Sequence, residues 1–235
     1  MRYCGIVPAR GLVQLALLEE VRAPEPPIRL RAVFFEPGSP RQVAAELLAL
    51  EEVVVAVGSP LEPPADGATR TCDELLLRRR IPPQPFDPEV GRVAAELARL
   101  GVFAPAAEDP EGAVPEGAFR TAPVFETNVD GVFCALCARR LPARRHPQGM
   151  LLRVEELERD QVMDDGGGLS NRRIEEIEAA AAALCAHRYA VGHASWLGAA
   201  GAGVVVLPGA TLPGSFSTQG VLVPVERLQL PPVQG

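Results

Sequence analysis

The chain of 235 residues contains no lysine, and all 23 of its basic residues are arginine. This absence excludes the phosphate-binding lysine of a P-loop, a Schiff-base lysine and the lysine of a kinase active site. With 30 acidic residues against 23 basic ones, the net charge is −7, which argues against a general nucleic-acid coat protein. Any contact with nucleic acid is therefore expected to be local.

Long apolar runs are also missing, and none approaches the roughly 18 residues that a membrane-spanning helix needs. The first residues lack the layout of a signal peptide. Five cysteines, an odd number without an export signal, indicate free thiols in a reducing compartment. We therefore expect a cytoplasmic protein with no membrane partner.

The segment Val53–Val57 is an apolar, β-branched run that ends at Gly58, Ser59 and Pro60. Such a run is typical of a central strand that is buried on both faces of an α/β sheet. Ligands of these sheets bind just beyond the carboxyl ends of the strands. The loop after residue 57 is therefore the first place to expect chemistry.

Turn residues and hydrophobic periodicity predict five strands, namely Tyr3–Val7, Gly11–Val21, Ile28–Phe35, Val53–Val57 and Pro123–Thr127. Val204–Leu207 is a candidate for a further strand. The predicted helices are Pro40–Leu50, Thr71–Arg80, Pro88–Leu100, Asp130–Leu141, Gln148–Arg159 and Asn171–Ala190. Residues 105–117 are expected to form a loop.

Three antiparallel strands followed by parallel strands that alternate with helices form the layout of the RNase H fold. We expect an α/β, RNase H-like domain over residues 1–208, with a mixed five-stranded sheet of order 3-2-1-4-5 and helices on both faces. Residues 209–235, rich in Pro and Gly, are expected to form a C-terminal extension. A Rossmann domain is disfavoured because no Gly-rich turn follows the first strand.

Glu178 falls on the same face of its predicted helix as Ile174 and Cys185, an apolar stripe. Its neighbours Glu175 and Glu176 point away from the stripe and are predicted to be solvated. A carboxylate that faces the core needs a partner, which a metal ion or an arginine would supply. The alternative to a metal ligand is a buried ion pair, with Arg188 as the candidate partner.

Other candidate residues follow the predicted strands. Glu126 ends the fifth strand, and Arg70 and Asp73 open the helix after the fourth. Arg70 or Arg78 could contact a phosphate, whereas Asp73 could act at the site or only complement the helix dipole. His146 is a candidate acid or base, although a loop histidine is also compatible with no chemical role.

Motifs occur in a fixed order between residues 3 and 208: Gly5-Ile6-Val7, Val57-Gly58-Ser59-Pro60-Leu61, Arg70 with Cys72-Asp73, Arg78 and Arg80, Glu126, His146-Pro147-Gln148-Gly149 with Arg153, Glu178-Ala179, and Gly203–Pro208. This order resembles the domain-of-unknown-function 429 family, predicted nucleases with an RNase H-like fold. The resemblance implies a metal-dependent site at the edge where the first and fourth strands lie side by side.

The chain departs from that family at two expected carboxylates, where it has Val7 and Gly58. A two-metal nuclease needs hard oxygen ligands at these positions. We therefore expect a nuclease-family protein that is weakly active or inactive, with Mg²⁺ or Mn²⁺ weakly held. The alternative is a non-catalytic binding module for nucleic acid, nucleotide or a protein partner. The resemblance assigns Glu126 and Glu178 as metal ligands. It assigns Glu126, Glu178 and Asp73 as catalytic residues. The substrate-binding residues that it implies are Arg70, Arg78, His146 and Arg153.

Overall fold

A computed structural model describes residues 1–21, 28–64, 69–106 and 109–217. Its strands are β1 (Arg2–Ala9), β2 (Leu12–Val21), β3 (Arg29–Phe34), β4 (Val53–Val57), β5 (Glu111–Ala113), β6 (Val124–Glu126), β7 (Val162–Met163), β8 (Ala194–Gly198) and β9 (Val204–Pro208). Its α-helices are α1 (Pro40–Leu48), α2 (Thr71–Arg78), α3 (Pro88–Leu97), α4 (Val129–Cys137), α5 (Pro147–Arg159) and α6 (Ile174–Ala190). The chain is thus a mixed α/β protein.

The main sheet is mixed and has the order β6-β4-β1-β2-β3-β7. β1 pairs antiparallel with β2 and parallel with β4, and β6 pairs parallel with β4. The expected five-stranded sheet is therefore wrong, because β7 adds a sixth strand parallel to β3, with Leu30 opposite Val162. A strand of two residues is too short to show the alternation of hydrophobic and polar residues from which strands are predicted.

A second, antiparallel sheet has the order β5-β8-β9. Two of its strands are not predicted from the sequence: β5 lies within the loop expected at residues 105–117, and β8 follows the last predicted helix. The sequence of β8, Ala-Ser-Trp-Leu-Gly, contains no β-branched residue, so its composition does not indicate a strand.

Side-chain caps define where several helices begin. Ser39 accepts from the N–H of Gln42 and precedes a proline, a combination that favours a helix start. Asp87 caps α3 and Asn128 caps α4 in the same way. α4 ends earlier than predicted because Ala138 adopts a left-handed conformation with φ of 53°.

Two hydrophobic cores cover the two faces of the main sheet. On one face, alternate residues of β1 such as Cys4 and Ile6 pack with α1 and α3. On the other face, Tyr3 and Val7 pack with α6 and with the elements around it. The two-residue period of the strand separates the cores, and helices lie on both faces of the sheet.

α6 approaches β1 through small residues on both sides. The run Ala179–Ala183 is fully buried. A Cβ atom on Gly5 would lie 2.1 Å from the carbonyl oxygen of Ala179 and 2.4 Å from the nitrogen of Ala183. Only a glycine permits this contact, which brings the helix backbone against the central strand.

Residues beyond β9 continue to pack on the domain. Phe216 is fully buried, and its N–H donates to the carbonyl of Arg79 over 3.2 Å. The rest of the expected extension, residues 218–235, lies outside the described residues. Among the helices that the structure describes, none combines the length and the apolar character needed to cross a membrane.

We expect Gly5→Ala to lower the free energy of unfolding by about 3 kcal/mol or more, because the added methyl group would overlap backbone atoms of α6. Gly214→Ala is the matched control, since a Cβ there meets nothing within 4 Å, and it should change stability by less than about 0.5 kcal/mol. Urea unfolding of the three proteins measures both effects. Equal stability of the two variants would contradict the close contact.

Candidate functional site

The carboxyl ends of β1, β4 and β6 meet at one edge of the main sheet. Gly58 N–H donates to the carbonyl of Ile6 over 2.8 Å, and Thr127 N–H donates to the carbonyl of Val57 over 2.8 Å. The parallel registers Ile6–Val57 and Val57–Glu126 bring the ends of the three strands side by side. This edge is where the sequence predicts chemistry.

Apolar groups fill the space between β1 and β4 at this edge. Val7 and Val129 are both buried there, the second at the start of α4. A Cβ atom on Gly58 would lie 2.8 Å from Cγ1 of Val7 and 3.0 Å from Cγ2 of Val129. A carboxylate at residue 58 would therefore require both valines to move.

Arg70 joins two of the predicted acids. Its Nη1 lies 2.8 Å from Oε1 of Glu126, and its Nη2 and Nε lie 2.8 and 2.9 Å from the two carboxylate oxygens of Asp73. The Leu61 N–H also donates to Glu126 over 3.2 Å. The guanidinium that the sequence analysis assigns to a phosphate therefore binds two carboxylates of the same chain.

Burial acts in opposite directions on the pKa values of Glu126 and Arg70. It raises the pKa of Glu126 to about 7, while the charge and hydrogen bonds of Arg70 act against the rise. Burial would lower the pKa of Arg70, but its bonds to Asp73 and the charge of Glu126 outweigh burial and raise that pKa. Arg70 therefore stays charged, whereas the charge of Glu126 changes near neutral pH.

Glu178 lies in a second cluster and is also buried. Both of its oxygens accept from Nη1 of Arg144, at 2.9 and 2.8 Å. Arg188, the partner considered in the sequence analysis, binds Asp160 at 2.6 Å instead. The partner of Glu178 is thus an arginine from the loop before α5.

Asp130 and Arg153 complete the surroundings of Glu178. Nη2 of Arg153 donates to Asp130 over 2.7 Å, and its Nη1 donates to two backbone carbonyls. Burial raises the pKa of Glu178 to about 7, with Arg144 opposing the rise and Asp130 adding to it. Arg153 is itself only 2% exposed, so this predicted substrate-binding residue connects α5 to α4.

The other two predicted residues are exposed and outside both clusters. Arg78 is the last residue of α2. His146 is the N-cap residue of α5, but its side chain makes no capping hydrogen bond. The structure therefore brings together Arg70, Asp73 and Glu126, and leaves Arg78 and His146 apart from them.

The predicted metal ligands, Glu126 and Glu178, contact different arginines. Within residues 1–21, 28–64, 69–106 and 109–217, no group of three His, Cys, Asp or Glu side chains is arranged to hold a metal ion. A cation at Glu126 would compete with Arg70, and a cation at Glu178 would compete with Arg144. Any metal bound by either carboxylate alone is expected to be held weakly.

The sequence analysis does not assign a role in this site to Arg144 or Asp130. Asp130 lies four residues after Glu126, in the first turn of α4, so it follows the strand end that forms this edge. The prediction that Glu176 is solvated is wrong, because it is 7% exposed. Its carboxylate turns back to accept from the N–H of Arg173 over 2.8 Å, as in a capping box.

Comparison with protein-family models, with curated proteins and with solved structures finds no match to this chain. The two arginine–carboxylate clusters and the apolar contact at Gly58 are therefore the features from which a function is inferred.

We expect Arg70→Met to lower the free energy of unfolding at pH 8 by about 3 kcal/mol, because it leaves a buried carboxylate without its partner. The loss should shrink at pH 5, below the pKa of about 7 of Glu126, where that carboxyl is protonated and needs no cation. Arg78→Met, an exposed position on the same helix, is the control. A loss that is equal at pH 5 and pH 8 in urea unfolding would contradict this role of Arg70.

Proposed function

We propose that this chain is a degenerate member of the domain-of-unknown-function 429 family, descended from RNase H-like nucleases, and that it has lost efficient two-metal cleavage. The order of β2, β1 and β4 supports the relationship, because it brings residues 7 and 58 to one edge of the sheet. The free thiols of the five cysteines agree with the cytoplasmic location that we propose for it.

The packing of Gly58 against Val7 carries the proposal. The resemblance assigns a carboxylate to each of these positions, and two-metal cleavage needs such oxygen ligands to stabilise the attacking and leaving groups. The 2.8 Å separation between a Cβ on Gly58 and Cγ1 of Val7 means that a side chain at residue 58 would overlap Val7. The loss is therefore one of shape as well as of charge.

The acids that remain at the edge are neutralised by arginines. Glu126 binds Arg70, and Glu178 binds Arg144. One weakly held Mg²⁺ or Mn²⁺ is the most that we propose for this edge, since it would have to displace an arginine. Because its guanidinium already binds two carboxylates, Arg70 is not available to counter the charge of a phosphate.

We expect the purified protein to show no Mg²⁺- or Mn²⁺-dependent cleavage of single-stranded DNA, double-stranded DNA or RNA above the level of the Glu178→Gln variant. The matched variant is prepared in parallel, so that cleavage common to both preparations is assigned to a contaminating nuclease. Robust cleavage by the wild-type protein that Glu178→Gln or Glu126→Gln abolishes would overturn the proposed loss of activity.

A non-catalytic binding module is the second candidate function, with a nucleic acid, a nucleotide or a protein as its partner. It is favoured by arginines near the carboxyl end of β1, Arg10 and Arg145, that are exposed. The loss of two acids from the edge also removes repulsion against phosphate groups. Binding to nucleic acid would then weaken steeply as the salt concentration rises.

A further inference from the structure

A cavity of about 450 Å³ opens where the β1–β2 turn meets the first turn of α6. Three arginines line it, and each comes from a different part of the chain: Arg10 from the β1–β2 turn, Arg145 from the loop before α5, and Arg173 from the N-cap position of α6. One acidic residue, Glu175, also lines the cavity. The cavity is therefore cationic in a chain whose net charge is −7.

Two of the three arginines are free of internal partners. The side chains of Arg10 and Arg145 are exposed and form no ion pair or hydrogen bond with the residues that the structure describes. Arg173 is partly neutralised, because its Nε lies 3.1 Å from Oε2 of Glu176 and its Nη2 lies 3.7 Å from a carboxylate oxygen of Glu36. This differs from Arg70, whose guanidinium is already bound to two carboxylates.

The backbone holds these arginines around the cavity. Arg10 and Gly11, with φ of 54° and 81°, form the two-residue turn between the paired residues Ala9 and Leu12. Such a turn is tight and fixes the position of its first residue. Arg145 follows Arg144, which is anchored to the buried Glu178. The loop that carries Arg145 is thus attached to α6 before any ligand binds, which reduces the cost of ordering it.

The amino end of α6 adds to the positive potential. Ile174 and Glu175, from its first turn, line the cavity. The N-terminus of a helix of 17 residues carries a partial positive charge and favours anions, phosphate groups in particular. The carboxylates of Glu175 and Glu176 in the same turn reduce this effect, so the three arginines are the main cationic groups of the cavity.

Gln14 supplies a neutral polar group in the wall of the cavity. It is fully buried, and its Nε2 donates to the carbonyls of Leu15 and Phe35 over 3.0 and 2.7 Å. Its Oε1 has no hydrogen-bond partner among the described residues. Because this oxygen is itself enclosed, Gln14 forms part of the wall and is not counted among the groups that would contact a ligand.

We propose that this cavity binds a phosphate group, either of a free nucleotide or of a nucleic-acid strand. Its volume lies in the range of small-molecule sites, roughly 300–1,000 Å³. The arginine forks match the oxygens of a phosphate group. The inference does not rest on the loss of two-metal cleavage, since none of these residues belongs to the Arg70 or Glu178 ion pairs.

The test measures binding to the full chain, without divalent metal, by calorimetry with inorganic phosphate and adenosine monophosphate, and by fluorescence anisotropy with a labelled 12-nucleotide DNA strand. The double variant Arg10→Gln/Arg145→Gln should weaken binding by about tenfold or more, because two charged hydrogen-bonding groups are removed. The control Arg78→Gln/Arg80→Gln removes the same charge from exposed positions elsewhere and should weaken binding by less than about twofold.

The affinities for adenosine monophosphate and for the DNA strand distinguish the two sources of the phosphate. Tighter binding of the mononucleotide than of the strand identifies a free nucleotide, and the reverse order identifies nucleic acid. Amide hydrogen exchange of the wild-type protein tests the site without any substitution. A bound phosphate should slow the exchange of residues 9–14 and 173–175. Equal weakening by the two double variants, protection elsewhere, or no binding of any probe at low salt would overturn the proposal.

Discussion

The contact between α6 and β1 at Gly5 determines where the charged groups of the candidate site lie. Five alanines and a glycine let the two backbones approach to a distance that no larger side chain permits. This contact aligns the amino end of α6 with the carboxyl end of β1. Glu178, one residue before the alanine run, is thereby buried near the amino end of α6.

Arginine side chains pair with the two buried carboxylates of the candidate site. Glu126 and Glu178 are buried carboxylates whose pKa values are raised to about 7, and a planar guanidinium faces each of them. Because both values lie above the ordinary 4.5 of the unfolded chain, the folded state takes up protons between pH 4.5 and 7. These two groups therefore stabilise the fold at low pH, and this contribution is lost as the pH rises through about 7.

Much of the secondary structure could be predicted from the sequence, because β1 to β4 and the capped helices carry strong periodic and capping signals. The placement of Arg70, Asp73 and Glu126 near one edge follows from the rule that strand ends meet there, but the sequence does not show that Arg70 binds the two acids. The short strand β7 and the strand β8 could not be predicted, since their pairing depends on distant residues. The same holds for the partner of Glu178, because only the folded chain brings Arg144 to α6.

The central claim is that the edge formed by β1, β4 and β6 no longer holds the metal ions of a nuclease. Anomalous scattering from crystals soaked in excess Mn²⁺ at pH 8 tests it most directly, because the carboxylates are then ionised. We expect at most one manganese ion, of low occupancy, at Glu126 or Glu178, and none between Val7 and Gly58. A pair of manganese ions between Val7, Gly58 and Glu126, with Arg70 displaced, would contradict it.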